Sequence, residues 1–100
     1  MADIYDRLIR SDYRELDTDT LKDLHNESED AFRGILSGMT AMGSMAFWLQ
    51  GAENYSDEIA SADLRALGNA LMYLPRIAEA LNDNAQNAQF EIWRREGLPK

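Results

Sequence analysis

The sequence predicts an all-α fold: an antiparallel hairpin of two long helices, the second kinked, with a short helix ahead of them, pairing into a four-helix bundle. Three observations carry this reading. First, each half holds an apolar stripe with alternating three- and four-residue spacing, the mark of one helix face sustained over many turns. The stripes are Leu21, Leu24, Ser28, Ala31, Ile35, Gly38, Met42, Met45 and Leu49, then Ala60, Leu64, Leu67, Leu71, Leu74, Ala78, Leu81, Ala85, Ala88 and Ile92. Second, folding the chain back near Asn54 sets Leu21 against Ala88, Leu24 against Ala85, Ser28 against Leu81 and Gly38 against Leu71. That large-against-small matching lets two helices interdigitate. Third, residues 51–56 form the one convincing break between the stripes, and its length suits an antiparallel connection.

Taken in order, Asp3 can cap a short helix over about residues 3–10, with Tyr5, Leu8 and Ile9 as its apolar edge. Ser11 and Asp12 read as a joint. Asp17, Thr18 and Asp19 supply capping oxygens and negative charge at the positive end of a helix dipole, so the first long helix spans about residues 19–50. Gly51 suits its C-terminal cap, and Ser56 the N-terminal cap of the second. That second helix covers about residues 57–96, with Asp57, Glu58 and Asp63 early, Arg94 and Arg95 late, and Gly97 and Pro99 beyond it. Pro75 lacks the amide hydrogen that would bond back to Leu71 and predicts a kink; the heptad continues in phase past it. The amide-rich stretch 82–89 is polar but keeps the register.

One hundred residues make a single domain, residues 1–100, whose monomeric core is modest, so a homodimer or higher homo-oligomer is expected. The absence of cysteine rules out disulfides and thiolate metal sites and fits a reducing compartment. The opening Met1-Ala2-Asp3 lacks the basic and apolar regions of a secretory signal, and a cytoplasmic location is expected. Residues 34–52 carry no charge and include Gly34-x-x-x-Gly38, but Ser37, Thr40, Ser44, Gln50 and four glycines dilute the run, and the partner helix carries Arg65, Arg76 and Glu79. It reads as packed in protein, with no membrane partner.

A formal net charge of −8 argues against direct nucleic-acid binding, which depends on lysine and arginine displacing counterions. Acids concentrate over residues 12–30, opposed there only by Arg14 and Lys22. Catalytic groups are scarce. His25 is the only histidine, no nucleophile and base pair can be nominated, and no enzyme activity is expected. His25 and Glu29 fall short of the repeated Glu-x-x-His element of di-metal bundles, and a solvated histidine is expected. Asp17 and Asp19 lack the glycine and closing glutamate of a calcium loop, so no metal or cofactor is expected.

Interaction surfaces are better supplied. A second stripe on the first long helix, Phe32, Ile35, Leu36, Met39, Gly43 and Phe47, is the expected oligomer interface; the alternative is cover by the short N-terminal helix. Phe90 and Trp93, beside Arg94, read as an anchor for a protein partner, while Trp48 is expected to pack at the end of the bundle. Asp19, Asp23, Glu27 and Asp30 can imitate a row of phosphates for a basic, nucleic-acid-binding protein; the alternative is an ordinary solvated face.

In size, acidity, lack of cysteine and hairpin pattern, visible in the seam from Leu64 to Leu81 and the acids from Asp12 to Asp30, the chain resembles small phage or prophage inhibitors of the antirepressor and anti-CRISPR kinds. The resemblance implies a stoichiometric binder that occludes or disassembles a regulatory protein without turnover. The rival reading is a structural or adaptor protein whose apolar face only builds its own oligomer.

Overall fold

The computed structural model describes residues 3–97; Met1, Ala2 and Pro99, read above as sequence signals, lie outside the described residues. Helix α1 spans Ile4–Leu8, a 3-10 turn covers Tyr13–Glu15, α2 spans Thr18–Leu49 and α3 spans Asp57–Glu96. The two long helices pack against each other as the expected hairpin. The molecule measures 60 × 29 × 19 Å.

The helix ends follow the chemistry of their caps. Asp3 accepts from the Asp6 amide while the Asp6 carboxylate accepts from the Asp3 amide, so the two residues satisfy each other's exposed donors at the start of α1. Asp17 accepts from the Thr20 amide ahead of α2, and Ser56 from the Ile59 amide ahead of α3. Gly97 closes α3 at φ 71°, a left-handed conformation costly for any residue with a Cβ. Gly51 does not play that part: Gln50 caps α2 in ordinary right-handed geometry, and Gly97 alone takes a positive φ among the described residues. The third helix runs unbroken through Pro75.

Burial is confined to one end. Leu21, Ala88 and Ile92 form the core, with Tyr13, Leu16 and Leu24 packed around it. The expected register holds there, since His25 reaches the Ala85 carbonyl one turn from the Leu21–Ala88 pairing. Farther along, one of the two heptad positions of α3 turns outward, while the other, Ala60, Leu67, Leu74 and Leu81, stays half-buried. The outward-turning position is 5% exposed at Ile92, 2% at Ala85 and 3% at Ala78, but 44% at Leu71 and 71% at Leu64. A helix of 3.6 residues per turn drifts about 20° per heptad, so four heptads carry a strict seven-residue repeat about 80° off the contact line. Toward the tip a groove of about 340 Å³ is lined by the expected seam residues Met42, Met45, Leu49 and Leu67 together with Ala46, Asp63 and Ala70. Met45 and Leu64, both expected in the seam, are exposed.

The short helix packs on α3, not on the apolar stripe of α2. Ala80 is fully buried beneath it, and Asn84 is 5% exposed. The Asn84 side chain accepts from the Arg10 amide (2.9 Å) and the Tyr13 hydroxyl (2.6 Å) and donates to the Leu8 carbonyl (3.1 Å). The Tyr5 hydroxyl donates to Asp83, and Arg76 lies 4.5 Å over the Tyr5 ring while donating to Asp3. An amide tract that is only polar in sequence thus contains the clasp that docks the N-terminal segment.

Candidate protein-interaction surfaces

Two surfaces of opposite character emerge from this arrangement. The first is acidic. Asp19, Asp23, Glu27 and Asp30 repeat at three- and four-residue spacing on the side of α2 turned from the buried Leu21 and Ser28. All four are exposed, and no ion pair among the described residues involves any of them. Nearby cations are engaged elsewhere: Lys22 with Glu96, Arg33 with Glu29, Arg10 with Asp12, and Arg76 with Asp3 and Glu79. None of the four carboxylates is held in an ion pair among the described residues, although Lys22, Arg33 and the exposed Arg14 lie on the same stretch of chain.

The packed end ties its cations down more tightly still. Glu91, 2% exposed, accepts from Arg94 at 2.9 and 2.6 Å and from Arg95 at 2.8 Å. Hydrogen bonds from those two guanidinium groups hold the Glu91 carboxyl down at about 2. Arg95 also donates to the Tyr13 and Arg14 carbonyls and the Thr18 hydroxyl, fastening the 3-10 turn and the start of α2 to α3. Arg94, read from the sequence as part of a partner anchor, has its guanidinium committed to Glu91, though its side chain is half exposed. Phe90 borders a groove of about 380 Å³ with Tyr13, Arg14 and Asn87; Trp93 does not line it. Phe90 and Trp93 stand on α3 and the four carboxylates on the outer face of α2, so the two candidate partner sites are separate patches.

The second surface is apolar and lies toward the hairpin tip. Of the predicted oligomer stripe, Phe32, Ile35 and Met39 are half-buried, whereas Leu36, Gly43 and Phe47 are exposed. Leu64 and Leu71 on α3 join them: helical periodicity places these five on one side of the hairpin, opposite the side that α1 covers. Trp48, expected to pack at the bundle end, is 74% exposed and meets Phe47 edge to face at 5.3 Å. The exposed leucines of α3 were hidden in the sequence by their heptad phase, which marked them as seam.

His25 is half-buried, and its Nδ1 lies 2.9 Å from the Ala85 carbonyl. A carbonyl only accepts, so Nδ1 carries the proton and the ring is a strut between the long helices, not the solvated side chain expected. Among the described residues no group of three or more histidine, cysteine, aspartate or glutamate side chains could hold a metal ion, and no helix is long and apolar enough to cross a membrane. No family model, curated protein or solved structure matches the chain.

Proposed function

We propose that this protein is a non-catalytic, protein-binding regulator that occludes a basic, nucleic-acid-binding protein. The observation that carries the reading is the row of four exposed carboxylates on α2, none of which forms an ion pair among the described residues, while the neighbouring Lys22 and Arg33 lie nearest other acids. Such a face attracts a positively charged groove and speeds encounter with it. The style shared with small phage inhibitors supports the same role, a binder acting in stoichiometric proportion. A structural or adaptor role is the second reading, favoured by the exposed apolar tip.

Affinity capture from the native host's lysate, followed by mass spectrometry and repeated at rising salt, tests the proposal. The expected result is a nucleic-acid-binding protein in fixed proportion, released as salt shortens the reach of the carboxylates below the Debye length of about 8 Å at physiological ionic strength. Recovery of the chain alone would overturn the inhibitor reading in favour of the structural one.

A further inference from the structure

We propose that two copies of this chain pair through the distal halves of their hairpins, antiparallel, forming a four-helix bundle around Leu36, Gly43, Phe47, Leu64 and Leu71. This rests on a different surface from the acidic face and stands or falls separately from the regulator reading.

Area is the first argument. A compact monomer of 11.4 kDa exposes about 5,800 Å², whereas this chain exposes 7358 Å². The excess, about 1,600 Å² per chain, matches what one protomer contributes to an obligate homodimer interface. Its location is equally specific. Every buried residue of α2 and α3 lies within residues 21–28 or 78–92, so the half of the hairpin nearest the tip has no interior of its own.

Charge selects the occupant and its direction. Residues 34–52 carry no charged side chain, so the α2 half of the surface, which holds Leu36, Gly43 and Phe47, offers nothing to a basic or acidic partner and is compatible with its own copy. The densest run of acids, eight within residues 12–30, sits at the other end, while Glu53, Asp57, Glu58 and Asp63 lie near the tip. Antiparallel pairing places the two acidic ends far apart, whereas parallel pairing sets them side by side.

Glycine supplies the remaining observation. A Cβ built on Gly43 or Gly68 meets nothing within 4 Å, so nothing inside the chain requires glycine there, although it weakens a helix relative to alanine. In the pair, these positions admit the large side chains of the second copy, Phe47 and Leu36 or Leu64 and Leu71, at close helix approach.

Sedimentation equilibrium of the full chain gives the mass, expected at twice 11.4 kDa. A melting temperature that rises with protein concentration is the accompanying sign of coupled folding and pairing. Leu64→Glu combined with Leu71→Glu, at side chains already exposed in the single chain, should yield a helical monomer; if that variant does not fold, the concentration dependence of the wild-type melting temperature decides. The chain has no cysteine, so one spin label at Asn26→Cys reports direction. Antiparallel copies crossing near Gly43 place the labels about 50 Å apart at 1.5 Å per residue, and parallel copies place them within about 25 Å. A monomeric wild type with a concentration-independent melting temperature, or a short label distance, overturns the proposal.

Discussion

At the residue scale, the fold depends on two buried polar groups that the sequence disguises. Asn84 resembles its neighbours Asn82 and Asn87 in every respect that composition can register, and only the position of α1 makes it the clasp. Removing it leaves the Arg10 amide and the Leu8 carbonyl without their partner, so Asn84→Ala should lower stability by about 1–3 kcal/mol in urea unfolding. Asn87→Ala, at an exposed position with one long hydrogen bond, should stay within about 0.5 kcal/mol. Equal effects would contradict the clasp.

Glu91 makes a prediction in pH. Its carboxyl is held at about 2 against an ordinary value of 4.5, so its pairing with Arg94 and Arg95 stabilises the native state fully above pH 4.5. As pH falls from 4.5 toward 2 the unfolded chain takes up this proton first, and the contribution is lost. Glu91→Gln should therefore lower the melting temperature at pH 7 and flatten its decline between pH 4.5 and 2. A variant that keeps the wild-type slope would show that the acid loss arises elsewhere.

At the element scale, the two long helices were legible because their caps and stripes agree: the observed bounds, Thr18–Leu49 and Asp57–Glu96, match the expected ones to within a residue. The site was less legible. Leu64 and Leu71 share a heptad position with the buried Ala78, Ala85 and Ile92, and a repeat of seven cannot reveal from sequence whether two helices supercoil to follow it or remain at 3.6 residues per turn and turn those leucines outward. Nor could spacing decide whether α1 would lie on α2 or α3, since Tyr5, Leu8 and Ile9 present an apolar edge suited to either. The glycines offer a test of the open face. Gly43→Ala has space within the chain and gains up to about 1 kcal/mol in helix propensity. A net loss of stability at concentrations where the pair forms is expected from the crowding of the second copy, and a net gain would contradict close approach at this position.

At the scale of the whole molecule, the hairpin separates its tasks along its length. The packed end, fastened by Asn84, Glu91 and Arg95, displays the carboxylates, while the open end displays apolar side chains. A Cα radius of gyration of 18.4 Å, against about 13 Å for a compact chain of this length, expresses that division. The proposed pairing through the open ends leaves both acidic faces outermost, which under the proposed function would give one assembly two docking faces.

The most direct measurement is capture from the native host's lysate with wild type beside the chain carrying Asp19→Lys, Asp23→Lys, Glu27→Lys and Asp30→Lys. The variant is expected to stay helical, keep the wild-type mass and no longer retain a nucleic-acid-binding protein that wild type holds in fixed proportion. Retention of the same partner by the charge-reversed chain would contradict the proposed function.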